Sequence, residues 1–227
     1  MDLNRDLAEA AQGDKEAIKV YYAFHNKIKA VHSSFNKQPG LQIDFHAYGD
    51  SCKQKNIVLG YLLPKADLNN EQYNQPNKSS IRSLVQRSGT TFEEFLIGNI
   101  SLGARLEKHG YNAVPSPRFG MTTIFVINHD LNRQPKPNED KYYRGGYISK
   151  QYGSRDNGSS DSIQLEFPPC YKNSEERRLN LSVALANILA EFMEEYYTPY
   201  YHYPDTTNTW PVLEYNKTTT SNIFAST

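Results

Sequence analysis

The sequence predicts an α/β fold in which a mixed, mainly parallel sheet is flanked by helices. Short segments with the two-residue period of strands alternate with helical patterns of about ten residues or more. The chain has 227 residues, of which 38% are hydrophobic, so it can bury one substantial core but is small for two. We therefore expect one α/β domain over residues 1–197, followed by a Tyr- and Thr-rich tail over 198–227 with little periodicity.

The first strong helical pattern begins after Asp14, which can cap a helix. Apolar and aromatic residues then recur at steps of three and four until Pro39 and Gly40 stop the pattern. His25 and His32 lie on the packed face of this helix, and we interpret them as core residues or as residues that support a neighbouring site from behind.

Two later segments alternate as strands and carry reactive side chains on their polar faces. Asp44 and His46 lie opposite the apolar face of a strand over 41–48, and Glu166 lies opposite the apolar face of a strand over 163–167. Strand ends in open α/β sheets deliver side chains to a crevice, where an imidazole can bind a metal ion and a carboxylate can orient it. The alternatives are a histidine that is hydrogen-bonded within the fold and a glutamate on a solvated sheet face.

The remaining patterns continue the alternation of strands and helices. They predict a buried strand over 57–63, a loop over 67–80, a short helix over 80–87, a helix that is capped by Thr91 and Glu94 and continues to Lys108, strands over 111–116 and 122–128, an excursion over 132–140, and a long packing helix over 175–197.

The charge balance argues against two classes of partner. Twenty-five Lys and Arg residues balance twenty-five Asp and Glu residues, so no summed positive field attracts nucleic acid or an anionic membrane surface. The longest apolar runs reach about seven residues, far short of the ~20 that cross a bilayer. We expect neither nucleic acid nor a membrane as a partner.

Glycosylation signals and cysteines favour an extracellular location, with the cytoplasm as the alternative. Cys52 and Cys170 are the two cysteines, a number compatible with one disulfide or with two reduced, buried thiols. Five Asn-x-Ser/Thr triplets begin at Asn77, Asn99, Asn157, Asn180 and Asn216.

Two further segments carry arginine in unusual surroundings. Asn4 and Arg5 lie between two aspartates, where a guanidinium fork could clamp a carboxylate; the alternative is a frayed terminus. The run from Arg144 to Tyr147 contains two glycines but lacks the helix start and downstream acid of a dinucleotide site. We expect close backbone approach there, and nothing else in the sequence supports a phosphate site.

Taken in order, these segments resemble the N-formylglutamate amidohydrolase family, a branch of the zinc-carboxypeptidase-like hydrolases. The resemblance covers most of residues 2–197, and the motifs around Ser116-Pro117 and 153–156 are similar to divergent animal members. The motifs that carry it are Asp2-Leu3-Asn4-Arg5, Ile43-Asp44-Phe45-His46, Leu59-Gly60-Tyr61, Gly145-Gly146-Tyr147-Ile148 with the following Ser149-Lys150-Gln151-Tyr152-Gly153, and Gln164-Leu165-Glu166.

The resemblance implies hydrolysis of an amide C–N bond beside a carboxylate-bearing group, through a zinc-activated water. Asn4 and Arg5 match the pair that holds the substrate carboxylate, His46 matches a metal-binding histidine, and Glu166 matches the acid that activates the water. Asp44 would orient the imidazole. The implied substrate is a small acyl-amino acid or a peptide terminus.

The family supplies two metal ligands, a histidine and an acid, from a segment upstream of its Asn-Arg motif, and this sequence begins almost at that motif. We therefore expect an N-terminally truncated fold with an incomplete metal site. The sequence leaves three explanations open: a fragment, a partner chain that completes the site, or a scaffold that has lost its activity and serves as a secreted binding or structural protein.

Two structural consequences follow from this departure. The missing strands would leave an exposed sheet edge, which favours a homo-oligomer. The enzyme hypothesis also requires His46 and Glu166 to face one crevice, and it fails if they point to different faces of the sheet.

Overall fold

The sheet has four strands and is mixed. The computed structural model describes residues 1–35, 38–49, 56–117, 136–138, 141–156, 158 and 160–198. The strands are β1 (Gly40–Ala47), β2 (Ile57–Gly60), β3 (Ala113–Val114) and β4 (Ser160–Phe167), in the spatial order β1-β4-β2-β3. β1 pairs with β4 and β2 with β3 in parallel, whereas β2 and β4 are antiparallel. The predicted α/β fold with a mixed sheet is confirmed at this level.

Helices connect these strands throughout the described ranges. They are α1 (Leu7–Ala11), α2 (Lys15–Ser34), α3 (Lys65–Asn69), α4 (Arg82–Ser88), α5 (Phe92–Ile97), α6 (Leu102–Lys108), α7 (Tyr147–Tyr152), α8 (Pro169–Lys172) and α9 (Glu175–Tyr196), with single 3-10 turns at Pro76–Lys78 and Ser154–Asp156. α2 and α9 confirm the two long helices that the apolar periodicity predicted. Asp14 caps α2 as predicted, because its side chain accepts a hydrogen bond from the backbone N–H of Ala17.

The predicted helix from Thr91 to Lys108 is wrong in its continuity. The structure has two helices there, because the chain turns at Gly98 and starts again at Ser101. The Ser101 hydroxyl accepts from the N–H of Ala104 and caps the second helix. A capping serine thus outweighs the apolar periodicity that joins the two segments in the sequence.

Other boundaries also differ from the predictions. The predicted loop over 67–80 contains the end of α3 and a 3-10 turn, and the strands predicted over 57–63 and 111–116 shrink to β2 and β3. β2 ends where Gly60 meets the backbone of Gly145, so closely that a Cβ on Gly60 would lie 2.6 Å from the Gly145 nitrogen. The predicted strand over 122–128 lies outside the described residues. No pattern in the sequence predicted α1.

The sheet lies between two helical layers. On one face, Ile163 and Leu165 of β4 join the main hydrophobic core with residues of α4, α5, α6 and α9. On the other face, α7 packs against β4 and β1, and α2 packs against α7 through the buried His25, which contacts Tyr152. His32 is half-buried and bonded to Gln42 of β1. This second face carries the polar residues of the candidate site.

The surface features expected of a secreted protein are described only in part. Asn77, Asn99 and Asn180 are exposed, and Asn157 and Asn216 lie outside the described residues. Cys170 is half-buried in α8, whereas Cys52 also lies outside them, as does the predicted tail beyond residue 198, so the disulfide and the tail stay predictions. No helix in the described ranges is both long and apolar enough to cross a membrane.

Candidate functional site: a polar cleft at the ends of β1 and β4

The parallel pairing of β1 and β4 brings the predicted site residues together. His46 is the register partner of Glu166, and Asp44 is the partner of Gln164. Register partners in neighbouring strands point to the same face, and these pairs lie in the carboxyl-terminal halves of the two strands. His46 and Glu166 therefore share a face of the sheet, which is the geometry that the enzyme hypothesis requires.

His46, Gln164 and Glu166 form one side of a cleft of about 980 Å³. The opposite walls come from the N-terminal segment and from the segment that leads into α7. The residues that line it include Asp2, Asn4, Arg5, Glu9, His46, Tyr142, Tyr143, Arg144, Gly146, Tyr147, Lys150, Arg155, Gln164 and Glu166. The volume of this cleft lies within the range of small-molecule sites, and its titratable groups make it a candidate functional site.

Asn4 is the centre of the hydrogen-bond network in this cleft. Its amide nitrogen lies 3.2 Å from Asp44 Oδ2, 3.0 Å from His46 Nε2 and 3.2 Å from Gln164 Oε1. Its amide oxygen accepts a hydrogen bond from the backbone N–H of Ile148, at 2.6 Å. One residue of the N-terminal segment thus joins β1, β4 and the start of α7.

The proton count decides how the network is arranged. The Asn4 amide has two protons for three neighbouring acceptors. His46 Nε2 is also 3.0 Å from Asp44 Oδ1, so a proton on Nε2 can bond to that carboxylate. The two Asn4 protons then go to the other Asp44 oxygen and to Gln164, and every group in the set has a partner.

The Asp44 carboxylate holds the imidazole of His46 in its charged form over a wider pH range. The hydrogen bond from His46 to Asp44 raises the pKa of His46 above its usual value, and partial burial opposes this shift. Asp44 therefore orients the imidazole, as the sequence analysis predicted for an acid in this position.

Glu166 is buried at the base of the cleft, with 6% of its surface exposed. Burial raises the pKa of its carboxyl group, and the neighbouring charge of His46 partly offsets this shift. Gln164 donates a hydrogen bond to one carboxylate oxygen at 2.7 Å. A carboxyl group with a raised pKa that borders a cleft is a candidate for proton transfer to or from a ligand.

The N-terminal segment is fixed from two sides. The buried His25 Nε2 lies 3.2 Å from the carbonyl oxygen of Leu3, and its Nδ1 lies 2.6 Å from the hydroxyl of Tyr152. Asn4 packs so closely on Gly146 that a Cβ at this glycine would collide with the Asn4 amide. The predicted close approach at the glycine pair is therefore present. Because Gly146 has no side chain, the Asn4 amide can lie against its backbone.

Arg5 lines the cleft, but its guanidinium group contacts carboxylates of its own segment. Its Nε lies 3.1 Å from Asp2 and its NH1 lies 3.5 Å from Glu9, and 58% of the side chain is exposed. These contacts are exposed and weak, so a ligand carboxylate could replace them. Asn4, by contrast, is fully engaged within the protein. The two residues that the resemblance pairs therefore have different surroundings.

The described residues do not fit the zinc site that the resemblance implies. No three His, Cys, Asp or Glu side chains in the described ranges form a group that could hold a metal ion. The one imidazole at the cleft directs Nε2 towards Asp44 and Asn4. Because protein zinc sites use three or four ligands, these residues alone do not make one.

The sequence analysis assigned no role to several residues of the cleft. Gln164 bridges Asn4 and Glu166, and its position two residues before Glu166 on one strand face could have identified it. Lys150 lines the cleft from α7, but a lysine one helical turn into a short helix gives no signal in the sequence.

Comparisons were made with protein-family models, with curated proteins and with solved structures, and none of them matches this chain. The resemblance to the amidohydrolases therefore rests on the motifs alone, and the cleft has to be interpreted from its own geometry.

Proposed function

We propose that this chain is a hydrolase similar to N-formylglutamate amidohydrolases, on a carboxypeptidase-like scaffold, and that it cleaves an amide C–N bond beside a carboxylate-bearing group. The observation that supports this most is the register of β1 and β4, in which His46 and Glu166 are partners on the cleft face. Two titratable groups with shifted pKa values on one wall of a cleft are typical of acid–base sites.

Glu166 is the proton carrier of this proposal. Its carboxylate accepts a proton from a water molecule while the water oxygen bonds to the amide carbon. The same carboxyl group then gives the proton to the amide nitrogen as the C–N bond breaks, and a carboxylic acid and an amine leave. The imidazolium of His46, held by Asp44, supplies positive charge near the oxygen that becomes negative.

The proposed substrate is a small acyl-amino acid or a peptide terminus. Arg5, Arg144 and Lys150 line the cleft, and all three side chains are exposed. Guanidinium and ammonium groups bind carboxylates with charge-assisted hydrogen bonds, which are stronger than neutral ones. The cleft therefore combines an acid–base pair with cations that suit a carboxylate beside the scissile bond.

A screen of N-formyl and N-acetyl amino acids and dipeptides for amine release tests this proposal. The wild-type protein, assayed with and without added zinc, should release amine from acidic acyl-amino acids. Glu166→Gln should reduce kcat by at least about 100-fold, because it removes the proton carrier. Glu16→Gln is a matched control, since Glu16 is exposed on α2 and forms an ion pair with Lys19. Equal rates for the two variants would refute the role of Glu166.

A second candidate is a secreted binding or structural protein on the same scaffold. The hydrogen-bond network around Asn4 favours this candidate. In it, His46, which the resemblance assigns to metal binding, is bonded to Asp44 within the protein. Titration calorimetry with the same acyl-amino acids separates the candidates. Binding without amine release supports this second function, and turnover excludes it. A glycosidase-sensitive mass of the expressed protein would support secretion.

A further inference from the structure

β1 is an open edge of the sheet. In the described part of the chain its only neighbouring strand is β4, and seven of its eight residues, from Leu41 to Ala47, are half-buried or exposed. β4, on its inner side, is buried along almost its whole length. β1 also contains neither proline nor lysine, the residues that commonly protect an edge from pairing.

The direction of the backbone groups along this edge follows from one hydrogen bond. The N–H of Tyr48 donates to the carbonyl of Phe167, next to the end of β4. In a parallel pair, alternate residues direct both backbone groups to the same neighbour. The even-numbered residues of β1 therefore face β4, and the backbone groups of Leu41, Ile43 and Phe45 point outwards from the sheet.

The outward edge continues into an apolar groove. Phe45 is 56% exposed, which is unusual for a phenylalanine in a strand, and it stacks on Phe167. The groove between the strand ends and α9 has a volume of about 480 Å³. Its apolar lining includes Phe45, Ala47, Phe167, Leu181, Leu185 and Leu189.

We propose that this edge is the dimer interface of the protein: β1 pairs with β1 of a second copy, antiparallel, around a two-fold axis at Ile43. The axis is perpendicular to the sheet, so residues on one face of the first copy meet residues on the same face of the second. The pairing joins two four-stranded sheets into one continuous sheet and leaves both clefts open on the same side.

The sequence of β1 is complementary to itself in this register. On the apolar face, Leu41 of each copy lies opposite Phe45 of the other, and the two Ile43 residues lie opposite each other. These are the residues whose backbone groups point outwards, so each pair exchanges two hydrogen bonds. On the polar face, the amide of Gln42 lies opposite the carboxylate of Asp44.

Another register is less favourable. A shift of the axis to Asp44 places two carboxylates directly opposite each other on the polar face, and like charges in this position destabilise a strand pair. The axis at Ile43 avoids this contact, whereas both registers pair seven of the eight residues of β1. The charge of Asp44 therefore favours a second copy in one particular alignment.

The oligomeric state in solution is the direct test. Sedimentation velocity of the full chain from about 1 to 100 µM should show a dimer. Phe45→Lys should raise the dissociation constant at least about tenfold, because it removes an apolar contact and adds a charge at the edge. Val20→Lys is a matched control, since Val20 is 50% exposed on α2. A monomer at the highest concentration, or equal dimerisation of both variants, overturns the proposal.

A cysteine at the axis tests the register independently of stability. Hydrogen-bonded antiparallel partners have Cα atoms about 5.5 Å apart, within the range that a disulfide spans. Ile43→Cys should therefore form a covalent dimer on mild oxidation, whereas wild type and Val31→Cys should not. Cross-linking of all three to the same extent, or of none, contradicts the pairing. Neither experiment depends on catalysis, so the dimer and the proposed hydrolase can fail separately.

Discussion

β4 carries two buried carboxylates that differ in their number of hydrogen-bond partners. Asp161, near the start of the strand, is fully buried and accepts hydrogen bonds from the backbone of Leu84 and from three side chains. These side chains belong to Arg87, Ser154 and Tyr197. The guanidinium group of Arg87 also lies over the ring of Tyr197, 4.4 Å from its centroid. Asp161 joins β4 to α4 and to the end of α9.

Glu166, near the other end of β4 and on the opposite face, has far fewer partners. Gln164 is the one residue of the described chain that donates a hydrogen bond to it, and the carboxyl group borders the cleft. Burial raises the pKa of this carboxyl group and of the Asp161 carboxyl group alike, so the two differ in their hydrogen-bond partners and not in the direction of this shift. The contrast with Asp161 separates a carboxylate that holds elements together from one whose bonding capacity is left for a ligand.

The largest expected effect is on the Asp161 side of this comparison. Asp161→Ala leaves Arg87 largely buried without its carboxylate and should lower the free energy of unfolding by about 3–5 kcal/mol. Urea denaturation measures it. The control is Asp156→Ala, an exposed residue whose contact with Arg155 is 3.8 Å long, which should change stability by less than about 0.5 kcal/mol. Similar losses in both variants would remove the structural role of Asp161.

Asn4 comes next, because it lies on the Glu166 side yet acts as a structural bridge. Asn4→Ala leaves acceptors on Asp44 and Gln164 without their donor and should cost about 1–3 kcal/mol of stability. Asn26→Ala, on the exposed face of α2, should not destabilise the protein in the same denaturation experiment. If Asn4→Ala is as stable as Asn26→Ala, the network around the cleft has no structural role.

The two carboxylates also show what the sequence can and cannot predict. The period of two along β1 and β4 predicts that Asp44, His46 and Glu166 lie opposite the apolar faces, and the structure confirms this. It cannot show that β1 and β4, more than a hundred residues apart, are neighbours in register. That pairing depends on tertiary packing, and it decides whether His46 and Glu166 meet.

Asp161 was missed for the same reason. It precedes the segment in which the sequence shows alternation, and it lies on the apolar face, where a carboxylate looks like a boundary residue. Its partners Arg87 and Tyr197 are distant in sequence and come together only when α4 and α9 pack on the sheet. The network of Asn4 was missed likewise, because a residue near a chain terminus has no periodic context.

The pH dependence of stability tests whether burial raises the pKa of Glu166 more than its neighbours lower it. A carboxyl group with a raised pKa in the fold stabilises the protein below its unfolded pKa, and this contribution is lost as the pH rises through the folded pKa. Glu166→Gln abolishes the dependence, because glutamine does not titrate. Relative to wild type, the variant should gain stability as the pH rises above the ordinary value of 4.5 and through the raised folded pKa, by less than the Asn4 effect. Thermal denaturation at several pH values measures this, and a constant difference would refute the raised pKa.

Substitution of Arg5 is expected to have the smallest effect on stability. The Arg5 variant tests whether the cleft beside Glu166 binds a ligand carboxylate. Its side chain is exposed and its ion pairs with Asp2 and Glu9 lie in solvent, so Arg5→Gln should leave the melting temperature unchanged. If the guanidinium group holds a ligand carboxylate, affinity for an acidic acyl-amino acid should fall about tenfold in titration calorimetry. Arg144→Gln is the matched comparison, because Arg144 lines the same cleft and is also exposed. If only Arg144→Gln lowers the affinity, the ligand carboxylate binds on the α7 side of the cleft and not at the N-terminal segment. Arg5 would then contact only the carboxylates of its own segment.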